Sequence, residues 1–280
     1  MSSKVTHRFV GGSGRAGTSV LIESLGMHPK VFPLWETKFM CNPGGLFSYL
    51  NGLNVNTFSI TMRGKWASKI NACFKGKKLS YQITEAQMKQ IVAETLGYTD
   101  RVRGGGYLIN SIFNHAIKAS GKEVIIEKTP HTVKMVDYLY KMFGNGLRYV
   151  HIVRDPREIY MSQKKLGWVK TPIDFIPDYL QLMTRAYLAA KTLPAECYTV
   201  VSYEAVSQQP DKYMRKLYDF LELPPVPKDF KYPHKFRNQY TDTSGNSLQQ
   251  VDYDLNHPES QLVLQMCENI NTLIMEELSN

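Results

Sequence analysis

Cysteine is scarce in this sequence, and long apolar runs are missing. The four cysteines lie far apart and form no Cys-x-x-Cys pair, which excludes a disulfide framework and gives no signal for a zinc site. No stretch reaches the roughly 18 consecutive apolar residues of a membrane-spanning helix, and residues 1–9 lack the apolar run of a signal peptide. These absences predict a globular protein with no membrane partner, in a reducing compartment such as the cytoplasm.

Negative charge is the other shortage. Lysine and arginine together number 34 against 25 aspartates and glutamates, which gives a net charge of +9. Such an excess favours an anionic partner: a nucleic acid, a membrane surface or a small molecule that carries phosphate. The sequence has no nucleic-acid recognition motif and its basic residues are spread along the chain, so we expect no nucleic-acid partner.

What the chain does contain is an alternation of short apolar strands and helices. The predicted strands are 5–10, 123–127, 147–153 and 198–202. The predicted helices are 18–26, 84–98, 107–119, 132–143, one from 156, 173–192, 210–222 and 258–278. The alternation is typical of an α/β fold with helices on both faces of a parallel sheet. Because 43% of the residues are hydrophobic, enough for one sizeable core, we predict a single domain over 1–280.

Three stretches fall outside this alternation. Residues 27–83 carry scattered glycines and aromatics without a clear period, so we predict them to be irregular. Residues 101–106 are predicted to form a basic glycine turn, and 224–257 are rich in proline and aromatic residues. A long irregular stretch inside a compact domain is often a binding segment.

A glycine-rich loop directly follows the first predicted strand. Gly12 is followed by four residues, then Gly17 and Thr18-Ser19, which is the spacing of a nucleotide P-loop except that Thr18 stands at the lysine position. Backbone N–H groups of such a loop, together with the positive end of the next helix, bind an anionic group. The candidate ligand-binding residues are Gly12, Ser13, Gly14, Arg15, Ala16, Gly17, Thr18 and Ser19. Without the lysine the loop suits a single phosphate, and a glycine turn with no ligand is the alternative.

A second candidate anion site follows the strand 147–153. Arg154 stands at the carboxyl end of that strand, where ligands bind in open α/β sheets, and Ser162 lies eight residues on, about two helical turns. An arginine with a serine hydroxyl makes a phosphate clamp. The alternative is a structural ion pair between Arg154 and Asp155.

The two sites together resemble those of sulfotransferases that use 3′-phosphoadenosine-5′-phosphosulfate (PAPS), most closely the tyrosylprotein and Golgi-type branch. Gly14–Ser19 is similar to that family's P-R-S-G-T-T loop, and Arg154-Asp155-Pro156 with Ser162 matches its second motif. Glu127-Lys128-Thr129-Pro130 resembles E-K-[ST]-P, and Val201–Glu204 with Phe220–Pro224 resembles Y-E-x-L…F-L-x-[IL]-P. The resemblance extends from about Phe9 to Pro224 and implies a P-loop-type, nucleoside-kinase-like sheet flanked by helices.

The resemblance also implies how the donor is held. In the family the first loop binds the 5′-phosphosulfate of PAPS, so Arg15 and the loop amides would neutralise the 5′-phosphate of the product, 3′-phosphoadenosine-5′-phosphate (PAP). Arg154 and Ser162 would hold the 3′-phosphate. Tyr203 matches a position where a family tyrosine contacts the nucleotide, although a packed strand-end tyrosine is the alternative. The late loop that covers the cofactor would fall at about 241–250, within 224–257, and no metal is implied.

For catalysis the resemblance implies three residues: Arg15, Lys128 and Glu36. Lys128 would stabilise charge on the sulfonate and the leaving oxygen. Glu36 stands 21 positions after Arg15, as a catalytic glutamate does in tyrosylprotein and heparan 3-O-sulfotransferases, and would be the general base. Partial burial is expected to raise the pKa of its carboxyl. A surface carboxylate paired with Lys38 is the alternative for Glu36, and His131, three residues after Lys128, is the rival base.

The acceptor stays open among tyrosine, sugar and small-molecule hydroxyls. Residues 27–106 are expected to contain an acceptor-binding insertion, and the basic residues there favour an acidic acceptor or are a solvated face. These are Arg63, Lys65, Lys69, Lys75, Lys77, Lys78, Arg101 and Arg103. The Golgi relatives have an anchor and luminal disulfides that the sequence does not match, so a cytoplasmic protein is expected, or a Golgi-luminal one if the chain is trimmed. A homodimer is compatible with the sequence, and a P-loop kinase or a non-catalytic nucleotide-binding protein are the rival functions.

Overall fold

A computed structural model describes residues 6–72, 82–226, 230, 240–241, 247–248 and 253–277. Five parallel strands form its central sheet, in the order β2-β3-β1-β4-β5. The strands are β1 (His7–Gly12), β2 (Val31–Trp35), β3 (Val124–Lys128), β4 (Leu147–Val153) and β5 (Tyr198–Ser202). The central strands β1, β3 and β4 are buried along their whole length. The sheet with its flanking helices confirms the predicted α/β class.

The helices connect and cover these strands. They are α1 (Thr18–Gly26), α2 (Leu46–Leu50), α3 (Val55–Thr61), α4 (Ala67–Ala72), α5 (Glu85–Gly97), α6 (Arg101–Ser120), α7 (Val136–Phe143), α8 (Pro156–Lys165), α9 (Pro172–Thr192), α10 (Tyr203–Gln208), α11 (Pro210–Phe220) and α12 (Pro258–Glu277). A π-helical turn, Met62–Trp66, joins α3 to α4, and 3₁₀ turns occupy Pro130–Met135 and Gly144–Gly146. A short antiparallel pair joins Tyr240–Thr241 to Ser247–Leu248. None of the described helices combines the length and apolar character needed to span a bilayer.

The prediction that residues 27–83 are irregular is wrong. They contain β2 and the helices α2, α3 and α4, and β2 is an edge strand of the main sheet. Pro33 makes β2 hard to recognise in the sequence. A proline is nevertheless tolerated in an edge strand, because it removes only one N–H donor from the hydrogen bonds between strands. The expected acceptor-binding range, 27–106, therefore begins with part of the central sheet.

The predicted turn at 101–106 is also wrong, because these residues are the first part of α6. The Asp100 side chain caps the helix by accepting hydrogen bonds from the N–H groups of Val102 and Arg103. The glycines allow close packing: a Cβ on Gly104 would lie 2.5 Å from the Tyr49 hydroxyl oxygen, and one on Gly105 would lie 2.7 Å from Met142 Cε. Packing, not turn formation, explains these glycines.

All five strands run in the same direction, so their carboxyl ends meet at one edge of the sheet. Gly12 ends β1, Lys128 ends β3, and Glu36, Arg154 and Tyr203 directly follow β2, β4 and β5. The topology thus brings residues from five distant stretches of sequence to one edge.

Candidate active site

The loop between β1 and α1 is a backbone cradle. Ser13, Gly14, Arg15, Ala16 and Gly17 form it, and Thr18 and Ser19 open α1. Gly17 has a left-handed φ of 100° and no room for a side chain, since a Cβ there would lie 2.4 Å from Cδ2 of Tyr203. The first intrahelical hydrogen bond runs from the Leu21 N–H to the Gly17 carbonyl, which leaves the N–H groups of Thr18 and Ser19 without intrahelical acceptors. This end of the helix suits an anion.

Arg15 and Arg154 join the loop to the start of α8. Arg15 Nε donates to Ser162 Oγ at 2.9 Å, and Arg154 Nη1 donates to the Arg15 carbonyl at 3.2 Å. The Arg154 guanidinium also lies 4.4 Å from the ring centroid of Tyr203 and pairs with Glu158. Two arginines and a serine hydroxyl therefore converge beside the loop.

Asp155 has a different role from the ion pair with Arg154 considered above. It pairs with Arg157, whose Nη2 lies 2.7 Å from Asp155 Oδ2, and it caps α8 by accepting from the Arg157 N–H at 2.8 Å. Arg154 takes Glu158 as its acidic partner instead. The guanidinium of Arg154 thus stays on the side of the loop.

Trp168 lies over the outer side of the loop with 61% of its surface exposed. Gln163 links the two. Its side-chain Nε2 donates to the Gly14 carbonyl at 3.0 Å, and its backbone carbonyl accepts from the backbone N–H of Trp168 at 3.0 Å. A Cβ on Gly14 would lie 3.2 Å from Trp168 Cζ3, so the indole packs directly on the loop backbone. Trp168 is not among the site residues predicted from the sequence.

Lys128 connects the loop to the residue predicted as the base. Its side chain is fully buried, and its Nζ donates to Glu36 Oε1 at 2.7 Å and to Ser19 Oγ at 3.2 Å. The ammonium also lies 4.8 Å from the ring centroid of Trp35. One cation therefore stands between the carboxylate that follows β2 and the first turn of α1.

The expectation of a raised pKa for Glu36 is wrong. Burial alone would raise the pKa of this carboxyl, but the charges of Lys128 and Lys38 and their hydrogen bonds to it outweigh burial and lower the pKa. Glu36 is therefore ionised at neutral pH, the form that accepts a proton. Burial has the opposite effect on Lys128 and lowers the pKa of its ammonium.

His131 lies in the 3₁₀ turn that follows β3. Burial is the main cause that lowers the pKa of its imidazole, and the charge of Lys134 adds to the effect. The same group feels the charges of Lys38 and Glu36. It is therefore a neutral imidazole on the Glu36 side of the site.

Glu127 is a polar residue near the site that the sequence marks only as part of the Glu127–Pro130 motif. It is fully buried, and its Oε1 accepts hydrogen bonds from Thr37 Oγ1 at 2.7 Å and from Thr129 Oγ1 at 2.6 Å. Burial raises the pKa of its carboxyl to about 7. The available signal was a carboxylate inside an otherwise apolar strand, next to Lys128.

Comparison with known proteins decides the family. The model for the family described as "Sulfotransferase family" matches residues 9–228, most of the chain. The chain belongs to the sulfotransferase family. Protein-tyrosine sulfotransferase A of Caenorhabditis elegans is 23% identical over 223 residues, which cover 77% of this chain and 50% of that protein. Protein-tyrosine sulfotransferase of Drosophila melanogaster is 24% identical over 224 residues, 77% of this chain and 38% of that protein.

This sulfotransferase-family chain thus spans half or less of the length of these two curated relatives. Among solved structures, the sulfotransferase domain of the Synechococcus PCC 7002 olefin synthase superposes with a TM-score of 0.51 at 15% identity and covers 99% of this chain and 96% of that domain. A likeness at this identity bears on the fold alone, and it agrees with the predicted P-loop-type sheet.

Parts of the predicted site lie outside the described residues. Of 241–250, only 241 and 247–248 are described, and Lys75, Lys77 and Lys78 are not. Within the described part of the chain, no group of three or more histidine, cysteine, aspartate or glutamate side chains is arranged to hold a metal ion.

Proposed function

We propose that this protein transfers the sulfonate group of PAPS to an acceptor hydroxyl, with PAP as the second product. The observation that carries the proposal is the position of Lys128, whose Nζ bonds both Glu36 and Ser19. Transfer of a sulfonate from a phosphosulfate to a hydroxyl requires a cation near the leaving phosphate and a carboxylate near the hydroxyl. Lys128 lies between an ionised carboxylate and an anion-binding helix start, which meets both needs. PAPS, when bound, supplies an activated sulfonate with a phosphate leaving group.

The donor set of this chain fits a nucleotide with phosphates at two positions. The loop amides and Arg15 suit the 5′-phosphate, while Arg154 and Ser162 suit the 3′-phosphate, with Tyr203 beside Arg154. The Arg15 to Ser162 hydrogen bond of 2.9 Å supports two adjacent anion sites in place of one extended triphosphate cradle. Arginine and hydroxyl donors of this kind are typical partners of phosphate oxygens.

In the reaction that we propose, Glu36 accepts the proton of the acceptor hydroxyl. The hydroxyl oxygen forms the new bond to sulfur in line with the breaking bond between sulfur and the phosphate oxygen, and Lys128 and Arg15 offset the charge left on that phosphate. The lowered pKa of Glu36 supports its role because the carboxylate is already ionised. His131 is the alternative base, since it is neutral and lies in the same part of the site.

For the acceptor we propose a tyrosine hydroxyl in an acidic protein segment. Two curated relatives are named protein-tyrosine sulfotransferases, which supports tyrosine. Lys38 and Lys134 lie near His131, where they pair with Glu36 and Asp178, and these two cations support acidic neighbours. Within 27–106, the helices after β2 are the proposed acceptor-binding part of the single domain, and 224–257 the proposed covering segment. Location in the cytoplasm remains a prediction.

The first test is calorimetric binding of PAP, with ATP and Mg²⁺ as the comparison. We expect micromolar binding of PAP, unmatched by ATP, and about 10- to 100-fold weaker binding by Arg154→Ala because a charged hydrogen-bonding partner is lost. Arg185→Ala is the matched control, since it removes the same charge from an exposed pair with Asp137. Stronger binding of ATP, or binding of neither nucleotide, would overturn the proposal in favour of a kinase or a non-catalytic protein.

The second test is transfer of labelled sulfonate from PAPS to a synthetic peptide that carries one tyrosine among acidic residues. A neutral peptide of the same length and a simple phenol serve as comparisons. Labelling of the acidic peptide above both supports the proposed acceptor. Labelling of the phenol alone keeps the reaction type but contradicts a protein acceptor.

A further inference from the structure

The turn that carries Glu36 has an unfavourable backbone. Glu36 has a φ of 37° and Lys38 a φ of 59°, and Thr37 lies between them. Among the described residues other than glycine, only these two, Arg15 and Glu222 have a positive φ. Such a backbone conformation is unfavourable for a residue with a side chain and persists only where the surroundings enforce it. Something in the structure must therefore hold residues 36–38 in place.

The restraint comes from the end of β3 and the residue that follows it. The Glu36 N–H donates to the Lys128 carbonyl at 2.6 Å, and the Lys38 N–H donates to Thr129 Oγ1 at 3.3 Å. Between them, Thr37 Oγ1 donates to Glu127 Oε1 at 2.7 Å, the same oxygen that accepts from Thr129. Three successive residues of the turn are thus bonded to three successive residues, 127–129.

Glu127 is the centre of this arrangement. The two side chains that donate to it are hydroxyls that touch the turn or belong to it. Its second oxygen, Oε2, is buried and has no hydrogen-bond partner in the described part of the chain, which is costly for a carboxyl group. A well-packed apolar side chain is often at least as stable in such a place. The hydrogen bonds that this carboxyl group accepts hold the turn in position.

We propose that Glu127 is a positioning residue for Glu36 and acts through the hydroxyls of Thr37 and Thr129. The proposal rests on the proposed function, in which Glu36 is the base. Glu127 touches neither reacting group: it sets the backbone of the turn, and the turn sets the distance between the Glu36 carboxylate and Lys128. The hydrogen bonds continue from Thr129 toward the loop after β1. Thr132 Oγ1 donates to the Thr129 carbonyl at 2.8 Å and lies 3.0 Å from the Tyr149 hydroxyl, beneath Gly11.

Thr37→Val is the central variant, because valine has the shape of threonine without the hydroxyl. Thr37→Ser keeps the hydroxyl and is its matched control. Three properties are compared with the unmodified protein: amide hydrogen exchange of the 36–38 segment without nucleotide, PAP binding by calorimetry, and turnover with the acidic tyrosine peptide as a function of pH. Glu127→Gln is the second variant, since it keeps one carbonyl acceptor and removes the ionisable group.

For Thr37→Val we expect amide exchange at Glu36 to accelerate about tenfold and kcat to fall about tenfold or more, because a small misplacement of a catalytic group is costly. PAP affinity should stay within about twofold, and Thr37→Ser should resemble the unmodified protein. The acid limb of the kcat profile should move to higher pH in Thr37→Val, because a Glu36 carboxylate released from Lys128 regains a more ordinary pKa. Glu127→Gln should lie between the two threonine variants in exchange and kcat.

The proposal is overturned if Thr37→Val keeps both the exchange rate and kcat, or if Thr37→Ser loses as much as Thr37→Val. A fall in kcat together with thermal stability and PAP affinity, without a shift of the acid limb, would point to general destabilisation and also overturn it. The failure of the proposed function is distinguishable: it appears as absent PAP binding in the unmodified protein, whereas the exchange comparison needs no nucleotide.

Discussion

The loop after β1 and the turn after β2 reach the same edge of the sheet and use left-handed backbone in different ways. In the loop, Gly17 takes the left-handed conformation at the start of α1 without strain, and Arg15, with a φ of 77°, is tied by hydrogen bonds to Ser162 and Arg154. In the turn, Glu36 and Lys38 carry side chains and are held by hydrogen bonds to residues 127–129. A glycine thus supplies the left-handed position at the helix start, whereas the turn after β2 has no glycine and relies on a partner strand about 90 residues away in the chain.

The difference separates the robust part of the site from the sensitive part. In the proposed function, a loop built from backbone groups would tolerate the loss of single side chains and would bind the donor by several contacts. The turn depends on a few hydrogen bonds between buried groups, and the loss of one changes where the carboxylate stands. Donor binding and turnover should therefore respond to different substitutions.

The largest expected effect is on turnover, from a substitution at Lys128 beside the turn that carries Glu36. Lys128→Ala should lower turnover of the tyrosine peptide by about a thousandfold at saturating PAPS, because a preorganised charge at the reacting atoms is lost. PAP affinity measured by calorimetry should change far less. Lys38→Ala is the control, because Lys38 is more exposed and its Nζ lies 3.4 Å from the other Glu36 oxygen. Its loss should lower turnover by about threefold or less. Equal losses in both variants would contradict the assigned role of Lys128.

Next in size is the loss of the base. Glu36→Gln should lower kcat by about a hundredfold and leave PAP binding unchanged, because the amide keeps the shape but accepts no proton. His131→Gln, measured in the same assay, should keep most of the activity. The reverse pattern would assign the base to His131.

A third substitution tests the donor loop itself. Gly17→Ala should lower the free energy of unfolding by about 2 kcal/mol or more, because the new Cβ would lie 2.4 Å from the Tyr203 ring at a left-handed φ. Gly121→Ala has a left-handed φ of 65° with nothing within 4 Å, so it isolates backbone strain, about 1 kcal/mol. Urea unfolding measures both, and equal losses would show that the contact with Tyr203 is unimportant.

Stability should also depend on pH through Glu127. Burial raises the pKa of its carboxyl from 4.5 to about 7, so between those values the folded state holds a proton that the unfolded chain releases. The contribution to stability is therefore greatest below pH 4.5 and falls by at most about 1.4 kcal/mol per pH unit until pH 7. Urea unfolding of Glu127→Gln should lack this fall, and parallel pH curves for the two proteins would refute it.

The smallest expected effect is at the edge of the donor site. Ser162→Ala removes the hydroxyl that accepts from Arg15 at 2.9 Å, and should weaken PAP binding by about fivefold, the value of one hydrogen bond. Ser207→Ala is a suitable control, because it removes a hydroxyl from α10. Calorimetry distinguishes the two, and kcat should be unchanged in both.

The donor side could be predicted from the sequence because its signals are local. The glycine spacing of 12–19 and the residues that follow β4 are read without knowledge of any partner. The structure brings Arg154, Ser162 and Arg15 close together, although Ser162 bonds to Arg15, a contact that the sequence did not predict. The strand β2 could not be recognised, since Pro33 interrupts it and its edge position appears only once the sheet is assembled.

The turnover side was only partly accessible from sequence. Glu36 is predicted as the base by resemblance, not by a local pattern, and the predicted direction of its pKa shift is wrong because the close approach of Lys128 is a tertiary contact. The one signal of Glu127, a carboxylate in an otherwise apolar strand, does not separate a buried glutamate from a solvent-facing one until its burial is known.

The placement of the tryptophans gives this protein two built-in optical reporters. The chain has three tryptophans, and Trp66 is buried, which leaves a steady background. Trp168 lies exposed on the donor loop, while the Trp35 ring faces the Lys128 ammonium at 4.8 Å. Donor binding should therefore change the emission of Trp168, and movement of the lysine should change that of Trp35. Trp168→Phe and Trp35→Phe variants would separate the two signals. Stopped-flow fluorescence of each variant would then time nucleotide binding at the loop and rearrangement around the lysine independently.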